Sequence, residues 1–154
     1  MKVGRLVASL RCPLRRDVCM GGSVATARGE FKVRITPKGA PLTIEGVALG
    51  TSSISKDFEG ALTGTSAGEM LTALTRVTGS AGYVAIERVT GLLDGRSGTF
   101  VLQHSGIMAS GAPSLTVTIV PGSGTGELAG ISGSMRILVE GTKHTYVLEY
   151  VLEP

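Results

Sequence analysis

"LTVTIVPGSGTGELAGISGSMRILVE", residues 115–140, decides the fold, because it admits two incompatible readings. A short β-branched run followed by a glycine-rich turn is how a dinucleotide-binding unit presents its phosphate loop, and Gly124, Gly126 and Ala129 fit the G-x-G-x-x-A spacing. Such a unit needs a helix beginning at the loop, whose free N–H groups and positive dipole end receive the pyrophosphate, and then a return strand carrying an acid. "MRILVE" does end in Glu140, but only "LAGISG" separates Glu127 from that strand. Gly130 and Gly133 interrupt what would have to be about ten or more residues of helix in a parallel crossover. No Lys-Ser or Lys-Thr pair follows, which removes a P-loop as well. The glycines are therefore read as a tight connection between two strands.

The same punctuation recurs along the chain. Among 154 residues there are 23 glycines, placed between short β-branched runs with no collagen period, which suits many turns joining many strands. With 42% hydrophobic and 18% charged residues, the composition predicts one compact, soluble domain over residues 21–154, and no apolar run reaches the length of a membrane span.

"RGEFKVRIT", residues 28–36, alternates cleanly, with Phe31, Val33 and Ile35 on one face and Glu30, Lys32 and Arg34 on the other, as a half-buried strand requires. "PKGAP" ends it, and residues 42–66 read as one or two further strands in which Ile54, Phe58 and Leu62 share a parity. In "SAGEMLTALTRV", residues 66–77, Ser66 and Glu69 fit a capping box and Met70, Leu71 and Leu74 fall at helical spacing, so about two turns of helix are expected there. "AGYVAIERVTGLLDGRSGTFVLQHSGIM", residues 81–108, is a hairpin turning at "DGRS". Any loop of even length puts Tyr83, Glu87 and Val89 on one face with Phe100, Leu102, His104 and Met108, and a loop centred on Gly95-Arg96 sets Glu87 opposite His104. Residues 133–152 form a second hairpin turning at Gly141-Thr142, with Met135, Ile137 and Val139 on the face of His144, Tyr146, Leu148 and Tyr150. Six to eight mostly antiparallel strands imply an all-β barrel or sandwich.

The net charge of +3 sits in one place. Residues 1–20 hold Lys2, Arg5, Arg11, Arg15 and Arg16 against Asp17, a net of +4, which leaves −1 for residues 21–154. The domain lacks the basic, aromatic-laced face that nucleic-acid binding demands, so no nucleic-acid partner is expected. Arg5 and Arg11 break the leader's apolar stretch, so no export signal is read and a cytoplasmic location is expected. Because regular patterning begins just after Met20, that residue is read as the natural start. Cys12 and Cys19 fit no zinc spacing and are read as free thiols.

"GSAGYVAIERVTGLLDGRSGTFVLQHSGIM" followed by "GTGELAGISGSM" resembles a bacterial domain family of unknown function whose fold is similar to the allene oxide cyclase barrel. The resemblance covers most of residues 26–152, and a turn like "GTGELAGISG" also joins barrel strands in allene oxide cyclases and plant dirigent proteins. It implies an eight-stranded antiparallel barrel with an internal cavity, often assembled into homo-oligomers. It implies no reaction.

Among chemically capable residues, Glu87 and His104 are the catalytic candidates. A carboxyl among Tyr83, Val89, Phe100 and Leu102 is expected to have its pKa raised by desolvation toward a useful general acid or base, with His104 sharing or orienting the proton. Tyr83, Phe100, Leu102, His144, Tyr146 and Tyr150 are the candidate ligand-binding residues, giving an apolar pocket with a few convergent polar groups. With the parity inverted, Val84 and Ile86 would face inward, and Glu87 with His104 would form an outer cross-strand pair. No triad elbow, glycosidase carboxylate pair or local metal-ligand cluster is present, and no cofactor is expected. Three functions stay open: binding of a small apolar molecule, a cofactor-free isomerase or cyclase using Glu87, and a structural oligomer without ligand.

Overall fold

The computed structural model describes residues 22–153. The reading of residues 1–20 as a leader, with its two cysteines, lies outside them. The described residues form ten strands: β1 (Ala25–Pro37), β2 (Leu42–Ile44), β3 (Val47–Gly60), β4 (Leu62–Leu74), β5 (Ala81–Leu93), β6 (Arg96–Ala109), β7 (Ala112–Ile119), β8 (Thr125–Gly126), β9 (Ile131–Glu140) and β10 (Lys143–Leu152). Eight of these, all but β2 and β8, pair in the cyclic order β1-β10-β9-β7-β6-β5-β4-β3, and the β1–β3 ladder closes the barrel. Every pairing among the described residues is antiparallel, and two-residue turns impose this at β2–β3, β5–β6, β6–β7 and β9–β10.

Turn chemistry fixes the registers. Glu45-Gly46, Asp94-Gly95 and Ser110-Gly111 each place two successive residues at positive φ, the requirement of a type I′ hairpin. The β5–β6 hairpin is therefore centred on Asp94-Gly95 and not on Gly95-Arg96, since Leu93 pairs with Arg96. Glu87 consequently faces Leu102, while His104 lies opposite Ala85, one diagonal step away on the same inner face.

Residues 66–77 contain no helix; Leu62 to Leu74 is strand β4. The two residues of the supposed capping box lie on opposite sides of the barrel wall. Ser66 is buried and its hydroxyl donates to Glu87, whereas Glu69 faces out and binds Lys38. Here pairing with β3 and β5 along nearly the whole segment outweighs local helix propensity.

The glycine-rich stretch 122–130 carries β8, which pairs with the start of β6 through Gly98–Gly126 and Thr99–Thr125. Glu127 accepts hydrogen bonds from the Ser97 N–H (2.8 Å) and hydroxyl (2.9 Å), and Leu128 beneath it is buried. The loop thus folds back as a plug. With Leu62, Leu93, Phe100, Ile131, Leu148 and Tyr150 it packs one end of the barrel solid. The other end, where β4 stops and β5 begins, stays open. The wall is loosest beside that opening, because β7 and β9 pair in register only at Thr118–Ser134.

Candidate functional site

The solid lower core and the open upper end meet at a layer of buried polar side chains. Four adjacent strands contribute one each: Lys56 from β3, Ser66 from β4, Glu87 from β5 and His104 from β6. Lys56 pairs directly with Ser66, and the row then steps diagonally to Glu87 and on to His104, following the slant that strand tilt gives any barrel layer. Gly68 faces Glu87 across β4–β5, and a Cβ there would come within 2.7 Å of the Glu87 Cα and 2.1 Å of the Ile86 carbonyl oxygen. Only glycine lets the two strands approach this closely beside the carboxylate.

Glu87 is wholly buried and fully engaged. Its Oε2 accepts a hydrogen bond from Lys56 Nζ at 2.5 Å, and Oε1 accepts one from the Ser66 hydroxyl. His104 Nε2 lies 2.9 Å from Oε2, a short polar contact that stops short of a well-formed hydrogen bond. The approach still acts electrostatically, and it requires a hydrogen on Nε2, because a ring lone pair would repel the carboxylate. Lys56 Nζ also lies 5.1 Å from the Phe31 ring centroid and 6.0 Å from that of Phe58, over faces that attract a cation.

The sequence predicts a raised carboxyl pKa at Glu87, and the structure reverses it. Burial does push upward and is the largest single influence, but His104, Lys56 and Ser66 together overcome it and hold the carboxyl at about 2. Lys56 is pushed the other way: burial lowers its pKa, opposed by the Glu87 charge and hydrogen bond. Tyr83 is raised by burial and by Glu87. A buried ion pair is a weak source of stability, since well-packed apolar side chains often serve as well. Its position draws attention to what lies above it.

That is a cavity of about 430 Å³, within the range of small-molecule sites. Val33, Ile54, Met70, Ile107, Leu115 and Ile137 supply much of its apolar wall. Lys56 and His104 belong to its floor, and Thr72, Tyr83 and His144 are polar residues on its sides. Ile35, Leu74, Met108, Leu115 and Val139 fringe the mouth, each between 41% and 59% exposed, so the entrance itself is apolar.

The predicted residues divide between these two regions. Glu87 and His104 come together, and both face inward, which removes the inverted parity; Val84 and Ile86 lie outside, about half exposed. Tyr83 and His144 line the cavity, with the Tyr83 ring over Gly106 and the His144 ring tilted against Phe31 at a centroid distance of 5.3 Å. Phe100, Leu102, Tyr146 and Tyr150 lie outside the cavity lining, in the packed core. The Tyr146 hydroxyl accepts from the Leu62 N–H at 2.8 Å, and the Tyr150 hydroxyl donates to Asp94 at 2.6 Å, so both phenols hold turns in place. Sequence reasoning missed Lys56 and Ser66. The signal for Lys56 was its parity, since it sits between Ile54 and Phe58 on an inward row.

The family model "Protein of unknown function (DUF3224)" matches residues 27–150. A crystal structure described as a protein with unknown function from the DUF3224 family of Shewanella oneidensis MR-1 is similar to this chain. The two share 47% identity over 86% of this chain and 99% of that one, with a TM-score of 0.81. No curated protein matches the sequence.

Proposed function

We propose that this protein, which belongs to the DUF3224 family, binds a small apolar molecule inside its barrel. The observation that carries the reading is the cavity of about 430 Å³, with an apolar wall and an apolar mouth. Buried apolar area is the main source of affinity for such a ligand, and a few polar groups on the floor orient it. Binding is favoured over proton transfer by Glu87 on two grounds. A general base must reach the proton it takes, and Glu87 lies beneath the cavity lining with no exposed surface. A carboxylate held at about 2 is also a weak base near neutral pH. Two further parts of the reading are a cytoplasmic location and association into a homo-oligomer. The latter is supported by apolar Leu71, Val84 and Ile86 exposed on the outer faces of β4 and β5.

The experiment is a thermal-shift panel of apolar ligands, paired with native mass spectrometry of protein purified from its own host. A raised melting temperature with members of the panel, or a retained molecule released on denaturation, is the expected result. A folded protein that answers to no apolar ligand and carries none overturns the reading.

A further inference from the structure

The floor of the cavity specifies more than apolarity. An ammonium group carries three N–H donors. Among the described residues, Glu87 is the one hydrogen-bond acceptor for Lys56 Nζ, and the Phe31 and Phe58 rings occupy other directions around it. Lys56 is only 4% exposed, yet it belongs to the cavity lining, so donor capacity left over from Glu87 is available to whatever enters. Donors buried without acceptors are costly, and an oxygen brought in by a ligand would relieve that cost.

Charge decides which oxygen. Lys56 and Glu87 sum to zero, and among the described residues no further lysine, arginine, aspartate or glutamate pairs with either of them. An incoming carboxylate would sit desolvated beside the ionised Glu87, and an incoming ammonium would meet Lys56; either is repelled at short range in a poorly screened site. A neutral carbonyl accepts a charge-assisted hydrogen bond without adding a charge. Resting on the binding reading above, we propose that the cavity selects apolar molecules that carry a neutral carbonyl group, with the carbonyl oxygen seated on Lys56 Nζ at the floor and the apolar body against Ile54, Met70 and Ile137.

The test displaces the neutral fluorophore N-phenylnaphthylamine from the cavity with methyl nonyl ketone, undecane, decanoate and decylamine at neutral pH. It is run on the wild type and on the double variant Lys56→Met/Glu87→Gln, which removes both charges together, with circular dichroism to confirm folding. In the wild type, the ketone binds more tightly than decanoate and decylamine. The ratio of ketone to undecane affinity is about ten- to hundredfold higher in the wild type than in the double variant, as expected for one hydrogen bond to a charged donor. Taking the ratio cancels the difference in hydrophobicity between the two ligands. Fluorophore binding with an unchanged ratio, or a wild type that prefers either charged ligand, overturns the carbonyl assignment alone. A double variant that does not fold leaves the wild-type order of ketone, decanoate and decylamine to decide. A folded wild type that binds no fluorophore overturns the cavity reading, and this assignment with it.

Discussion

Replacing Glu87 by glutamine takes the counter-charge from a buried ammonium and leaves its shape almost unchanged. Lys56 Nζ lies 2.5 Å from Oε2, and the two side chains are 3% and 0% exposed. At that distance and an effective dielectric constant of about 20, Coulomb's law gives roughly 7 kcal/mol of attraction. The carboxamide keeps a dipolar acceptor for the ammonium, and Lys56 can escape by losing its proton, so the expected loss of stability at neutral pH is about 3–5 kcal/mol. That is a large share of the roughly 5–15 kcal/mol that holds a domain of this kind together. Urea denaturation followed by circular dichroism measures it, with an unchanged denaturant slope showing that the native state stays compact. The loss should shrink as pH rises. Burial already lowers the Lys56 pKa, and without Glu87 it falls further, so between that value and the unfolded pKa of about 10.4 the unfolded chain binds more protons and stability climbs with pH. Adding Lys56→Met to Glu87→Gln should restore most of the loss, because no charge is then stranded. A single-variant loss below about 1 kcal/mol, or one that grows with pH, would refute the reasoning, since stranding a buried charge costs several times that.

On the acid side, Glu87 is held at about 2 against an ordinary 4.5, so its contribution is fully present above 4.5 and disappears as pH falls from there through 2. The shift corresponds to about 3 kcal/mol. Melting temperatures over that window should fall less steeply for Glu87→Gln than for the wild type. Gly68→Ala drives a methyl toward the Ile86 carbonyl and the Glu87 Cα and should cost about 1–3 kcal/mol or more by urea denaturation, despite alanine's smaller unfolded-state entropy. Leu128→Ala unplugs the lower end of the barrel and should cost about 2–5 kcal/mol in the same assay, leaving fluorophore affinity within a fewfold because the cavity lies at the other end. Tyr146→Phe strands the buried Leu62 N–H and should cost about 1–3 kcal/mol, a loss that a merely apolar role for this ring would not produce.

Much of the barrel was legible where the period of two was unbroken. The alternation through Tyr83, Glu87 and Val89 and through Phe100, Leu102 and His104 set the inner face of one hairpin correctly, and Gly141-Thr142 located the turn of another. The turn centre was off by one residue and the β5–β6 pairing therefore by two, which kept every side chain on its face; choosing among Asp94, Gly95 and Arg96 depends on which pair accepts positive φ. The helix expected after Ser66 failed for a different reason. Its cap and spacing are local, whereas the ladders to β3 and β5 come from residues far along the chain. The site was half visible. Glu87 stood out as a lone acid on an apolar row with His104 beside it, but its ionisation depends also on Lys56 and Ser66, which come to it from two other strands. Lys56 carried its own signal in the row Ile54-Lys56-Phe58, where an inward lysine calls for a buried partner.

The central claim is that the upper half of the barrel is a binding cavity. It is tested most directly by titrating N-phenylnaphthylamine into the wild type and into Thr72→Trp, which puts a large ring into the cavity wall. Saturable binding of one probe per chain by the wild type, lost in a Thr72→Trp variant that still folds, is the predicted result. A folded wild type without saturable binding, or a variant that binds as well as the wild type, would contradict it.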